Sequence, residues 1–464
     1  MQKILSQDNN CPQKDSTECK GYEGVQTVIG ITENHLVEVN FTTEHLMEYI
    51  FSSGNLNSAY LQVKRNAGAG GVDNMEVGEL LPYLQRHKDA LVKSLMQGTY
   101  RPNPVRRVEI PKDNGKKRRL GIPGVVDRVI QQATSQVLTL IYDRTFSNSS
   151  FGFRPKRSCH QALRTVQEQV SAGYKYAIDL DLEKFFDSVN HSKLIEVLSR
   201  TITDNRLLSL IHKYLKAGVV VSNKFEETTL GVPQGGPLSP LLSNIMLNEL
   251  DKELESRGHR FVRYADDCMI LCKSKRAAKR TQESIIRFIE DKLFLKVNKE
   301  KTKVGYIQGM KFLGYSFYVM KGKCKLSLHP KSKAKLKSKL KEMTSRSNGF
   351  GYERCKIKLK EYIRGWIGYY QLADMRSYLQ SVDEWLRRRF RMCIWKSWKK
   401  VKTKFANLLK CKIGRNQAWQ WANTRKSYWR TSKSPILSRA LDNESLRKAG
   451  YPFLSDYYSK VYRT

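Results

Sequence analysis

Phe261-Val262-Arg263-Tyr264-Ala265-Asp266-Asp267-Cys268-Met269-Ile270-Leu271 sets two adjacent carboxylates between runs of β-forming apolar residues. The pattern predicts two strands joined by a tight turn carrying Asp266 and Asp267. Two ionised side chains at neighbouring positions repel each other, so a chain that places them there calls for a cation. An open oxygen-ligand site for Mg²⁺ meets that need, because Mg²⁺ is held by one or two carboxylates and completes its shell with water and substrate phosphates. An Asp-Asp turn without chemistry fits the same residues. The two readings separate on whether the chain supplies a third carboxylate, a phosphate-binding surface and a nucleic-acid track.

Charge supports the track. The 464 residues carry 83 Lys and Arg against 44 Asp and Glu, a formal charge of +39, which points to a polyanionic partner. From Lys321 onward there are 37 basic and 9 acidic residues, so +28 of the surplus lies in the last third. A hydrophobic content of 40% is enough for real cores in roughly two to four domains. The nine cysteines have no paired C-x-x-C spacing, which excludes a zinc ribbon or a disulfide framework from the reading. No apolar run reaches the length of a membrane span and the N-terminus has no signal-peptide pattern, so a cytoplasmic, reduced protein is expected.

The third carboxylate stands in Tyr176-Ala177-Ile178-Asp179-Leu180-Asp181-Leu182. Period-two alternation places Ile178, Leu180 and Leu182 on one strand face and Ala177, Asp179 and Asp181 on the other. Carboxylates on an open face suit a metal, and a salt-bridged strand edge is the other reading. Upstream, Val108 to Pro111 and Leu120 to Pro123 flank the basic tip Lys112 to Arg119 as a β-hairpin would; the tip is a phosphate-gripping finger or a solvated turn. Helices are expected over Asp127–Tyr142, near Cys159–Val170, over Leu241–Leu254 and over Ala277–Phe294, with a strand over Met310–Phe317. A short helix through Leu46 and Ile50, capped by Thr43, precedes them. The loop Gly231-Val232-Pro233-Gln234-Gly235-Gly236-Pro237 lets backbone approach a ligand closely, and equally makes a sharp helix start. The order of elements suggests an antiparallel sheet covered by helices on one face.

Beyond Pro330 three apolar stripes, through Leu336, Leu340 and Met343, through Ile363, Trp366, Ile367 and Tyr370, and through Leu386, Phe390, Cys393 and Ile394, predict a three-helix core. Arg387, Arg388, Arg389 and Arg391 flank the last. Past residue 400, Trp419, Trp421 and Trp429 lie among Arg415, Arg425, Lys426 and Arg430, a mixture that stacks on bases and neutralises phosphates or packs a small helical core.

Together, Asp181, Asp266 and Asp267 satisfy what two-metal phosphoryl transfer needs, with the ions about 3.5–4 Å apart. The Tyr-Ala-Asp-Asp box at 264–267, Asp-x-x-x-x-Phe at 181–186, Pro-Gln-Gly-Gly at 233–236, Phe-Gly-Phe-Arg-Pro at 151–155 and Phe-Leu-Gly-Tyr at 312–315 resemble, in that order, a reverse transcriptase. From about Leu46 to Tyr458 the chain is similar to bacterial group II intron-encoded reverse transcriptase and maturase proteins of class C type, which lack an endonuclease domain.

That resemblance implies an α+β right-hand polymerase, fingers and palm with an antiparallel sheet, followed by an α-helical thumb and maturase domain and a small basic helical C-terminal region. The corresponding boundaries are a poorly ordered leader at 1–40, fingers and palm at 41–325 with an N-terminal extension at about 41–75, thumb and maturase at 326–400, and a DNA-binding region at 401–464. It implies two Mg²⁺ ions, with Mn²⁺ as substitute, held by Asp181, Asp266, Asp267 and the backbone carbonyl of Leu182. By the same matching Lys301 donates a proton to pyrophosphate, and Lys112, Arg118, Phe186 and Gln234 contact the dNTP or the templating pair. Arg387, Arg388, Arg389, Arg391, Arg425 and Lys426 become nucleic-acid contacts. The implied partners are group II intron RNA, an RNA template with a DNA primer, target DNA and dNTPs, with no membrane and no zinc. The tail has no His and Cys pattern of a homing endonuclease, so target cleavage is not expected. A non-catalytic RNA-binding splicing cofactor, or a domesticated reverse transcriptase in DNA repair or defence, fits the same sequence.

Overall fold

The computed structural model describes residues 44–111, 115, 117–222, 224–347 and 351–461. The expected leader, the Thr43 cap and Lys112 lie outside them. The chain divides into two compact units, one up to Ile307 and one from Gln308 onward.

In the first unit the strands are β1 (Val105–Pro111), β2 (Lys117–Ile122), β3 (Tyr176–Leu180), β4 (Val219–Val221), β5 (Lys224–Glu226), β6 (Arg260–Tyr264), β7 (Asp267–Cys272) and β8 (Lys303–Tyr306). They form two four-stranded sheets, in the orders β2-β1-β4-β5 and β6-β7-β3-β8. Every pairing in the second sheet is antiparallel, whereas the first contains one parallel pair, β1 with β4. The basic hairpin forms as its alternation predicts, with Val108 opposite Leu120 and Pro111 opposite Lys117.

The expectation of a sheet covered on one face needs correction. In β6 and β7 both faces are buried: Phe261, Cys268 and Ile270 join the main core, and Val262, Met269 and Leu271 are equally buried on the other side. The reason is visible in β7, where Cys268 to Cys272 is a continuous apolar run without alternation, the signature of a strand covered twice. In β3 alternation does operate, and Ile178 and Leu180 enter the main core.

Helices over Val125–Tyr142, Cys159–Ser171, Ser239–Ser256 and Lys275–Lys292 match the sequence expectations to within a few residues. The Cys159–Ser171 helix starts at a capping box, in which Ser158 accepts from the Gln161 backbone and the Gln161 side chain accepts from the Ser158 N–H at 2.8 Å. The Ser239–Ser256 helix is buried nearly all round and carries the polar residues Ser243, Asn244, Asn248 and Asp251 inside with its leucines.

The second unit contains β9 (Lys311–Phe312), β10 (Tyr315–Met320) and β11 (Lys323–Leu328) as an antiparallel meander. The single strand expected over Met310–Phe317 is therefore two strands, because Leu313 and Gly314 both take positive φ (49° and 79°) and turn the chain. Helices Pro330–Met343, Tyr352–Tyr370 and Arg376–Ser397 follow and bury Leu336, Leu340, Ile363, Ile367, Leu386 and Phe390, as their stripes predict. Among the described residues six short helices follow, of which those from Val401 to Ala440 surround a core of Trp395, Leu408, Ile413, Ile436 and Leu437.

Candidate active site

Antiparallel pairing places the carboxylates at adjoining strand ends. The β3–β7 pairing ends at Leu180 opposite Cys268, one residue short of Asp181 and of Asp267, and Tyr264 pairs with Asp267, leaving Ala265-Asp266 as a two-residue turn. Like charges at neighbouring strand ends repel each other. The turn is also held out of the ordinary backbone range, because Ala265 takes φ +56°, a region glycine normally fills. Asp266 and Asp267 are exposed and Asp181 is half-buried.

A cation already stands at this corner. Lys301 Nζ lies 2.9 Å from Asp181 Oδ2. The turn that carries Lys301 is fastened to the end of β3: Asn298 N donates to Asp181 O at 2.8 Å, and Asp181 N donates to Thr302 Oγ1 at 3.2 Å. Leu182, whose carbonyl was the fourth expected ligand, sits in a bridge with Val297. Among the described residues no three His, Cys, Asp or Glu side chains close a cage by themselves. An exposed oxygen-only donor set at strand ends fits an ion that keeps waters and takes the rest of its shell from substrate phosphates. Asp179 shares the open face but is paired across the sheet with Lys303. Below the turn, burial pushes the Cys268 thiol well up, so it is an inert apolar filler.

The nucleotide-side expectations also converge. Arg118 Nε donates to Gln234 Oε1 at 3.1 Å, and Gly121 N donates to Gln234 O at 2.6 Å, so the basic hairpin is docked on the Pro-Gln-Gly-Gly loop. Gly235, at φ +123°, permits this approach; a Cβ there would stand 2.3 Å from Gly121 O. The loop in turn touches the Phe186 segment, with Val232 N donating to Phe186 O at 2.6 Å. Phe186 is buried edge-on against Phe185. His191 Nε2 holds the Gly231 carbonyl at 2.8 Å, and burial keeps its imidazole below its ordinary pKa, so it acts as a neutral donor.

Three residues that motif reading missed lie under the hairpin. Arg263, fully buried, donates to both oxygens of the equally buried Asp251 and to Ala265 O at 3.0 Å. Burial pushes the Asp251 carboxyl up and the Arg263 guanidinium pulls it back. The third is Asn244. An arginine between apolar neighbours inside a strand is the available signal, since a buried charge needs a partner.

The C-terminal arginines are largely turned inward. Arg389, expected to contact nucleic acid, is instead buried and donates to Thr344 Oγ1 and to the carbonyls of Lys341 and Thr344. Arg388 donates to Trp429 O at 3.0 Å and lies 3.7 Å over the Trp429 ring, and Arg391 donates to Leu441 O at 2.9 Å. Arg387 lies over Phe453, while Arg425 and Lys426 are exposed. Helix ends leave carbonyls without partners, and a five-donor guanidinium on a neighbouring helix can satisfy several at once. Arg389→Ala should therefore lower stability by about 3 kcal/mol, read as a lower urea midpoint, and Arg389→Lys should recover less than half of it. An unchanged midpoint in Arg389→Ala would overturn this role.

The comparisons agree with the geometry. Residues 110–317 match the reverse transcriptase (RNA-dependent DNA polymerase) family, and residues 333–412 match the group II intron, maturase-specific domain. The chain is 35% identical over 290 residues to Protein YkfC of Escherichia coli (strain K12), covering 54% of this chain and 76% of that one. It is 32% identical over 358 residues to Group II intron-encoded protein LtrA of Lactococcus lactis subsp. cremoris, covering 62% and 59%. With the Putative COX1/OXI3 intron 2 protein of Saccharomyces cerevisiae (strain ATCC 204508 / S288c) it shares 30% identity over 323 residues, 56% of this chain and 37% of that protein. The fold and site thus define a reverse transcriptase. The chain belongs, more particularly, to the family of group II intron-encoded reverse transcriptases that carry a maturase-specific domain.

Proposed function

We propose that the protein is an RNA-directed DNA polymerase that also binds its intron RNA as a maturase. The Leu180–Cys268 pairing, which ends one residue short of Asp181 and of Asp267 beside the Ala265-Asp266 turn, supports this reading. Asp181, Asp266 and Asp267, with the carbonyl of Leu182, would hold two Mg²⁺ ions, for which Mn²⁺ would substitute. Bound there, the ions lower the pKa of the attacking 3′-hydroxyl and neutralise the triphosphate and leaving pyrophosphate.

The chain's own groups do the rest. Lys301, whose ammonium lies 2.9 Å from Asp181 Oδ2, carries the proton that the departing pyrophosphate takes up. Arg118 and Lys112 grip the triphosphate, and the bond from Arg118 to Gln234 keeps the guanidinium aimed across the loop that faces the templating pair. The buried Phe186 ring walls the sugar, and an apolar wall rejects a 2′-hydroxyl because it offers that group no hydrogen bond. The +28 surplus from Lys321 onward binds intron RNA and target DNA, with Arg387, Arg388, Arg391, Arg425 and Lys426 as candidate contacts. Among the described residues no helix is long and apolar enough to cross a membrane.

The full chain is expected to extend a DNA primer on an RNA template in Mg²⁺, to stop when EDTA removes the ion, and to accelerate splicing of a group II intron RNA. Its RNA affinity should fall with salt at a log–log slope of about 0.7 to 0.9 per phosphate contact. A chain that incorporates no dNTP with either Mg²⁺ or Mn²⁺ would sink the polymerase reading.

A further inference from the structure

The Ser239–Ser256 helix buries Asn244, Asn248 and Asp251, which with the exposed Glu255 form a polar stripe at spacings of four, three and four, one helix face. Each member of the stripe holds backbone or side chain outside its own helix. Ser147 Oγ donates to Glu255 Oε1 at 2.5 Å, and Asn248 Nδ2 donates to Thr145 O at 3.3 Å, so one end of the stripe fastens the loop that leads into Phe151-Gly152-Phe153. Asp251 takes both arms of Arg263.

Asn244 alone in this stripe bonds both the loop and, through Arg263, the hairpin. Its side chain is 0% exposed. Asn244 Nδ2 donates to Gly152 O at 2.8 Å, and Asn244 Oδ1 accepts from Arg263 Nη1 at 2.9 Å. The same Nη1 donates to Ala265 O at 3.0 Å, the residue at φ +56° next to Asp266. Backbone completes the junction: Phe151 N donates to Arg263 O at 2.9 Å, and Arg263 N donates to Ser149 O at 2.8 Å. The left-handed turn is thus gripped at its carbonyl by a guanidinium whose own orientation depends on Asn244 and Asp251. Strained backbone persists only where its surroundings over-determine it.

We propose that Asn244 is a positioning residue for the metal site, holding Arg263 and the 149–152 loop so that the Ala265 turn presents Asp266 and Asp267 as ion ligands. Asn244 itself touches no substrate. The proposal rests on the polymerase reading above, because it assigns the hairpin carboxylates to divalent ions. Groups that orient ligands from behind typically change metal affinity or activity by about 10–100-fold when removed.

The experiment compares the full chain with Asn244→Ala and with Leu210→Ala, a cavity variant in the buried face of the Asn205–Lys216 helix, outside the stripe and the hairpin. Three quantities are read: Mn²⁺ binding to the protein alone by electron paramagnetic resonance, the Mg²⁺ concentration that half-saturates primer extension, and the thermal midpoint. Asn244→Ala should weaken Mn²⁺ binding and raise the Mg²⁺ requirement by about tenfold, with the KM for dNTP within about twofold. Leu210→Ala should lower the midpoint and leave both metal quantities at wild-type values. Wild-type metal quantities in Asn244→Ala, or equal changes in both variants, overturn the positioning role and leave the polymerase reading standing. A wild-type chain that neither binds Mn²⁺ nor extends a primer overturns both.

Discussion

Asp267→Ala is expected to reduce nucleotide incorporation by at least about 10³-fold, equivalent to roughly 4 kcal/mol of lost transition-state stabilisation, without lowering the thermal midpoint. The two halves of this expectation share one cause. The β3–β7 register ends at Leu180–Cys268, next to Asp181 and Asp267, and like charges at neighbouring strand ends cost stability when no cation lies between them. Removing one carboxylate relieves that repulsion and, on the proposed function, removes an ion ligand, so folding and activity should move in opposite directions, as they do where a site is kept at the expense of stability. Asp181→Ala should behave likewise in activity, although it also loses the ion pair with Lys301, worth little at that exposure. Asp179 provides the internal contrast. It lies on the same strand face but opposite Lys303, so Asp179→Ala should change incorporation by less than about tenfold. Single-nucleotide incorporation with Mg²⁺ and Mn²⁺ measures all three, and wild-type-like synthesis by Asp267→Ala would remove the hairpin from the chemistry.

Gly152→Ala is the second large effect, and it acts through backbone rather than charge. A Cβ on Gly152 would stand 2.2 Å from Ala265 N, 2.9 Å from Tyr264 C and 3.0 Å from Ala265 Cα. None of these atoms belongs to a side chain that can swing away, so either the 149–152 loop or the Ala265 turn must shift. Because the loop is bonded to Asn244 and to both backbone groups of Arg263, the strain is delivered to the turn. We expect at least about a hundredfold loss of incorporation, together with about 1–3 kcal/mol of stability. Steady-state incorporation and a denaturant midpoint on the same preparation read the two effects. Full activity in Gly152→Ala would show that the turn tolerates displacement and that its carboxylates are not held from this side.

How much of the site is legible in the chain follows from the kind of information each residue carries. Alternation in Tyr176 to Leu182 is local, and it correctly separates Ile178 and Leu180, which enter the core, from Asp181, which does not. The paired carboxylates at 266 and 267 announce a cation requirement within two residues. The same local logic fails for Arg389, because a helical stripe shows which positions are apolar and says nothing about which carbonyls of another helix stand within reach of a flanking guanidinium. It fails in the opposite direction for Asn244, whose sequence context is that of an ordinary polar position in a leucine-rich helix.

Charge surplus, the apolar periods, the carboxylate spacings and the ordered boxes are properties of the sequence by itself, and they determine an α+β reverse transcriptase with its acidic hairpin. The tertiary structure alone decides that the strand carrying Asp181 pairs with the strand carrying Asp267, that Lys301 reaches Asp181 from 120 residues away, and that Asn244 reaches Gly152 across 92. Periodicity reports which face of an element leaves water. The partner that a buried charge or a strained turn finds there depends on how helices and strands distant in the chain pack together, and that is settled only when the whole core closes.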